Sequence, residues 1–271
     1  MKLKVLVDNN TYIDQYYYGE PAVSYYIEEG NTKILFDTGY SSLYIHNAKK
    51  LNVPLKEIST IVLSHGHNDH TGGLAYLKES GAFDLKHLKI LAHPDTFHAK
   101  QIDDLEIGSP VSKKELQSFV DLQLSKTPVQ ISPHLTYLGE IPRVHTFENT
   151  DPIGKCGCDC QPLKDDYLMD DTALAYQTPK GLYIITGCSH SGICNIIEHA
   201  KRVYSCDTIL GVIGGFHLFE HSPRLDHTIE YFKKHQIKEL YPCHCVSFSV
   251  KAAMHQELPI HEVGVGLELI W

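Results

Sequence analysis

The sequence predicts an α/β sandwich with sheets inside and helices outside. Two observations carry this. The N-terminal segment reads as strands, and after it strands and helices alternate in two roughly similar halves. No tandem repeat or low-complexity linker interrupts them, so residues 1–271 are read as one domain. A hydrophobic fraction of 42% is enough for a real core.

The elements follow in order. Lys2–Val7 alternates, 22–28 alternates in part, and 33–36 is a short apolar run ending at Asp37-Thr38-Gly39. A helix is expected over 41–51, ahead of Asn52-Val53-Pro54. The β-branched run 58–64 reads as a buried strand, and Gly72-Gly73-Leu74 opens a helix to about Ser80. Lys89–Ala92 is another buried strand, ending at His93-Pro94. Ser112-Lys113-Lys114-Glu115 is a capping box, predicting a helix with Leu116, Phe119, Val120 and Leu124 on its apolar face.

Strands are expected over 130–138 and 143–147, then a loop over 149–164. Segments 173–177 and 182–186 form a hairpin across Thr178-Pro179-Lys180-Gly181. Ile193–Tyr204 is helical, and 208–213 is a strand running into Gly214-Gly215-Phe216-His217. A helix over 225–235 and a short strand over 238–241 lead to Pro242-Cys243-His244-Cys245.

Charge and composition narrow the function classes. A formal net charge of −9 argues against a general nucleic-acid binder, which needs a basic surface to displace counterions. No stretch approaches the roughly 18 apolar residues of a membrane span, and the N-terminus lacks the pattern of a signal peptide. A cytoplasmic protein without a membrane partner is expected. Its 8 cysteines are then read as thiols or ligands rather than disulfides.

The chemistry centres on His65-Gly66-His67-Asn68-Asp69-His70. In an extended chain, residues two apart point the same way, so His65 and His67 can converge on one metal ion. Gly66 removes side-chain obstruction between them. Asp69 and His70 sit at the entry to the next helix, where a turn can aim them at a second ion. Imidazole and carboxylate together suit zinc, iron or manganese.

This run resembles the His-x-His-x-Asp-His signature of the metallo-β-lactamase fold superfamily, and the resemblance covers essentially the whole chain. It implies a four-layer αββα sandwich and a dinuclear metal centre. It makes Asp37 of Asp37-Thr38-Gly39 an orienting carboxylate, and His244 the final ligand at a strand end. Where members carry an aspartate that bridges both metals, this chain has Cys188, in Thr186-Gly187-Cys188-Ser189-His190. His190 is expected to complete the cluster. Cys188 is either a thiolate ligand or a small buried residue. Asp171, before the hairpin, either orients a ligand or starts a helix.

Gly187 to Gly192, Gly214-Gly215-Phe216-His217-Leu218, Pro242 to Cys245 and Leu138 to Arg143 resemble one branch of the superfamily. Its members are named dihydropterin–ribofuranosylaminobenzene 5′-phosphate synthases. The branch implies a phosphorylated, pterin-like small-molecule substrate. His217, His93 and Arg143 are the substrate-binding candidates, with an ordinary core or surface role as the alternative for His217. Cys156-x-Cys158-x-Cys160 would be either a structural metal site or a redox-active or variable loop.

The expected activity is that of a metal-dependent hydrolase or synthase working through a metal-activated hydroxide. Asp69 would ligate one ion and orient the nucleophile. The cofactors would be two divalent ions, zinc first, with manganese or iron as alternatives. A di-iron redox enzyme and a non-catalytic metabolite sensor on the same fold are the competing readings.

Overall fold

The strands expected at the N-terminus form one side of a seven-stranded sheet in the computed structural model, which describes residues 1–148, 151–158 and 162–271. The chain divides into two compact units. The first comprises Met1–Lys126, Pro152–Asp170 and Gly264–Trp271, and the second Thr127–Asp151 and Asp171–Val263.

In the first unit the sheet order is Glu268–Ile270, Lys2–Val7, Ser24–Glu29, Thr32–Phe36, Thr60–Val62, Lys89–Ala92 and Asp121–Leu124. The N-terminal pairs are antiparallel. From Thr32–Phe36 onward the strands run parallel, so three of their carboxyl ends share one edge. Those ends deliver Asp37, the run beginning at His65, and His93. Burial of alternate residues, with Leu3 and Val5 fully enclosed, explains why the first strand reads so plainly in sequence. The apolar cluster of this unit gathers Leu6, Leu35, Tyr44, Ile61, Leu63, Leu77 and Ile90. A smaller four-stranded sheet pairs Lys164–Asp165, Lys155–Gly157, Ala99–Ile102 and Leu105–Glu106.

The second unit holds a six-stranded sheet in the order Glu239–Pro242, Ile209–Gly214, Gly181–Thr186, Ala173–Thr178, Leu135–Tyr137 and Val129–Gln130. The expected hairpin is present, with Thr178 opposite Gly181. Gly181–Thr186, Ile209–Gly214 and Glu239–Pro242 are parallel neighbours, so their carboxyl ends also share an edge. Helices Ile193–Tyr204 and Pro223–Lys234 supply Ile193, Ile196, Ile197, Leu225 and Phe232 to this unit's own core.

Several local expectations change. Ser112 does cap a helix, its Oγ accepting from Glu115 N at 3.2 Å, but that helix covers only Lys113–Leu116. Asp121–Leu124 is instead a strand, because pairing with Lys89–Ala92 satisfies its backbone along a whole ladder. No strand forms over 143–147. There Val144 N and His145 N both donate to Asn195 Oδ1 at 2.8 Å, and that side chain takes the place of a strand partner. The expected strand over 130–138 is a tight hairpin of two short strands. The loop expected over 149–164 contains the strand Lys155–Gly157. Among the described residues, no helix is long and apolar enough to cross a membrane.

Candidate metal centre

In the first unit, one buried carboxylate organises the histidine run. Asp37 has a left-handed backbone, φ 59°, and is fully buried. Its Oδ1 accepts from Ser64 N at 2.7 Å, and its Oδ2 from Ser64 Oγ at 2.7 Å. His70 Nδ1 lies 2.6 Å from Oδ2. Ser64 Oγ donates to the carboxylate and is 2.9 Å from His65 Nδ1, from which it accepts. Both imidazoles therefore carry their proton on Nδ1 and present the Nε2 lone pair, the form a metal ligand requires. His65 Nε2 stands 3.1 Å from His67 Nδ1, two ring nitrogens aimed at one another. Burial pushes the His67 imidazole down to about 4, against the opposing pull of the Asp69 carboxylate, so it is neutral at neutral pH. Asp69 and His70 offer ligand atoms within 4.8 Å of one another. A donor set of buried, oriented imidazoles with a carboxylate beside them fits a divalent transition metal ion.

Close approaches explain the glycines. A Cβ on Gly66 would stand 2.1 Å from Thr96 O, and one on Gly73 2.1 Å from Thr38 O. Side chains there would push the histidine run away from its support. Gly66 N donates to Asp170 Oδ2 at 2.8 Å. Asp170 Oδ1 and Asp166 Oδ2 both accept from Lys100 Nζ, at 3.0 and 2.6 Å. All three of these side chains are buried. Burial alone would push the Lys100 ammonium down, but the Asp170 and Asp166 carboxylates outweigh it and push the ammonium up. Burial likewise opposes ionisation of Asp170, and Lys100 outweighs it and holds the carboxyl below its usual range. His93 is fully buried at the end of its strand, with Nδ1 accepting from Asp95 N at 3.1 Å. A cavity of about 480 Å³ opens beside the histidine run, lined among others by Tyr40, Asn68, Tyr76, Gln101 and Ser109.

In the second unit, three adjacent strand ends each lead into a histidine-bearing turn. After Gly181–Thr186 come Cys188 and His190, both buried. Ser189 in that turn has φ 57°. Asp171 Oδ2 accepts from Ser191 N at 2.8 Å and Ser191 Oγ at 2.5 Å, fixing the backbone next to His190. After Ile209–Gly214 comes His217, φ 49°, and after Glu239–Pro242 comes His244, φ 51°. Left-handed backbone at non-glycine residues is costly and collects at functional sites. Cys188 and His244 offer ligand atoms within 4.8 Å of one another. The His217 ring is 4.4 Å from that of His190 and 4.7 Å from that of Phe219.

A buried ion pair holds this arrangement. Glu148 Oε2 accepts from Arg224 Nε at 3.0 Å, and its Oε1 from Cys194 N at 2.8 Å in the first turn of the helix. The Arg224 guanidinium also donates to the carbonyls of His217 and Phe216, each at 3.3 Å. Replacing Glu148 by alanine should cost about 2 kcal/mol, below the value of a fully buried pair because Arg224 retains some solvent. Urea unfolding checks this, and a change below about 0.5 kcal/mol would place the pair among surface effects.

Sequence reasoning missed Lys100, Asp166, Asp170, Glu148 and Arg224. Asp170 carried the one available signal: two consecutive carboxylates ahead of a strand face opposite ways, so each can serve a different partner. Arg143 is half-buried in the loop held by Asn195. Cys156 is buried, and burial pushes its thiol up to about 11, with the neighbouring Asp166 acting in the same direction. Among the described residues, the metal-type groups include neither Cys156 nor Cys158, and Cys160 lies outside the described residues.

A buried histidine run after a parallel strand, with further histidines at parallel strand ends, is an arrangement of an α/β protein that could hold metal ions. The chain belongs to the metallo-β-lactamase superfamily, whose family model matches residues 17–244, and it has that superfamily's α/β fold. It is 35% identical to the uncharacterized protein MJ0448 of Methanocaldococcus jannaschii, over 94% of each chain. It is 31% identical to the 7,8-dihydropterin-6-methyl-4-(β-D-ribofuranosyl)-aminobenzene-5′-phosphate synthase of the same organism, over 95% of this chain and 91% of that one. Among solved structures it is similar to Tm1679, described as a metal-dependent hydrolase of the β-lactamase superfamily. That match has a TM-score of 0.85 and 25% identity, and covers 100% and 99% of the two chains. The superfamily is metal-dependent, usually with zinc.

Proposed function

We propose that this chain is a metal-dependent hydrolase or synthase acting on a phosphorylated, pterin-like small molecule. Its ligands to two divalent ions, zinc first, are His65, His67, Asp69, His70, His190 and His244. The observation that carries this reading is the Asp37–Ser64 network, which fixes the tautomers of His65 and His70. Such control serves metal ligation and has little value in an ordinary core histidine. When bound, the ions supply Lewis acidity and bring the pKa of water toward neutrality. Asp69, at the start of the helix Asn68–Thr71, would ligate one ion and orient the nucleophile. The cavity beside Asn68 lies within the size range of small-molecule sites. The relative named as a phosphate-containing pterin synthase supports the substrate class.

His217 is assigned to the substrate phosphate, with His93 and Arg143 as further substrate contacts. Its replacement by alanine should raise KM about tenfold or more while changing kcat less, as expected for loss of a charged hydrogen bond. An unchanged KM on a phosphorylated substrate would remove that assignment. The overall reading is tested on a panel of phosphomonoesters and phosphodiesters with metal-loaded protein. Turnover that disappears in His67→Ala supports it. A co-purifying metabolite with no turnover would favour a sensor instead. Cys188 beside His244, in place of the family's aspartate, favours the second reading of a di-iron redox centre. Iron with visible absorbance in protein purified without added metal would select it.

A further inference from the structure

We propose that Asp170 is a positioning residue for the turn His65-Gly66-His67, held in place by Lys100 and Asp166. The assignment rests on the reading that His65 and His67 bind metal. Asp170 places one oxygen on the Gly66 amide, at the centre of the turn, and the other on Lys100. The turn is therefore fixed at the one backbone donor that lies between the two proposed ligands.

The support behind Asp170 is built in layers. Asp166 shares Lys100 with it, and its other oxygen accepts from Leu168 N at 2.8 Å, shaping a turn in which Leu168 has φ 51°. The backbone of Asp166 is tied to Ile153 and Gly154. Lys100 O accepts from Ile107 N at 2.9 Å, and Ile107 O accepts from Asn68 N at 2.8 Å. The same support thus reaches the metal run twice, at Gly66 through a carboxylate and at Asn68 through backbone. The face of Gly66 toward Thr96 and Lys100 leaves no room for a Cβ, so the turn cannot shift that way.

A buried lysine with two carboxylates is an expensive way to fill space, since apolar residues of similar volume stabilise as well or better. What apolar residues cannot do is accept from Gly66 N. The triad also carries one positive and two negative charges, a net negative charge behind two imidazoles, which favours a bound cation. Asp171 does the parallel task in its own unit, accepting from Ser191 N beside His190. Two consecutive aspartates therefore each lock the backbone next to a proposed ligand.

The test is a Co²⁺ titration of the full chain, reading affinity and the visible absorption band. Asp170→Asn should weaken binding about 10–100-fold and shift the band. Val250→Ala, a core change in the second unit, serves as a stability control and should leave both readouts in place. Should Asp170→Asn fail to fold, Lys100→Arg keeps the cation but moves the carboxylate, and a loss of at least about threefold is expected. Wild-type affinity and spectrum in Asp170→Asn, or in Lys100→Arg, would overturn the assignment. So would a Val250→Ala protein that loses affinity in step with its stability. A wild-type chain that takes up no Co²⁺ would overturn the metal reading itself, a distinguishable result.

Discussion

Replacing Asp37 by asparagine is expected to cost the metal-free protein about 3 kcal/mol and to weaken metal binding about 10–100-fold. The carboxylate accepts from three donors, Ser64 N, Ser64 Oγ and His70 Nδ1, inside a fully buried site. Asparagine retains one accepting oxygen and turns an N–H₂ toward donors. About two of the three donors lose their partner, at roughly 1–3 kcal/mol for each buried orphan. Asparagine tolerates the positive φ of this position better than most residues, so the loss reports on hydrogen bonding rather than on strain. Without the carboxylate, His65 and His70 are also free to exchange tautomers, which removes their preset Nε2 lone pairs. Urea unfolding of the metal-free protein and a competitive zinc titration measure the two effects. Stability and affinity both unchanged would mean that Asp37 is only a turn residue.

Replacing Lys100 by methionine should destabilise the protein by about 3–5 kcal/mol at neutral pH, because it leaves Asp166 and Asp170 buried without their cation. The pH dependence is the sharper signature. In the wild type, Lys100 outweighs burial and holds the Asp170 carboxyl below its usual range. That stabilisation is present above the unfolded carboxyl pKa of about 4 and is lost as pH falls through the lower folded value. In the variant, Lys100 no longer offsets burial at Asp170, so that carboxyl is pushed up and acidification relieves its charge. The gap in Tm between wild type and variant should therefore narrow from pH 7 to pH 4. A gap that stays constant or widens would mean the triad is not ionised as described.

Much of the fold was legible because its signals are local. Alternation in Lys2–Val7, the apolar run before His65 and the hairpin turn at Thr178 to Gly181 each read directly and each formed. The capping box at Ser112 was equally legible, but its extension into a long helix lost to the ladder with Lys89–Ala92. The pairing of Ala99–Ile102 with Lys155–Gly157 joins distant segments, and no short window reveals it. The site divides the same way. Proposed ligands lie directly after strands and carry a recognisable pattern. Their supports are partners 70 residues apart for Lys100 and Asp170, and 76 apart for Glu148 and Arg224. Charged residues at such separations look like ordinary surface residues until the fold brings them together. Cys188 is a departure from the family pattern that is legible in the sequence itself. Its place beside His244 within the second unit makes it a donor candidate of a softer kind than aspartate.

The central claim is that this chain holds two divalent ions, on His65, His67, Asp69, His70, His190 and His244, in sites made unequal by Cys188. Stepwise removal of metal from the purified protein with a graded chelator series, followed by elemental analysis, tests it most directly. The predicted result is two ions per chain, one released well before the other, with His65→Ala retaining at most one. Protein that carries no metal and takes up none, or two equally tight ions unaffected by His65→Ala, would contradict it.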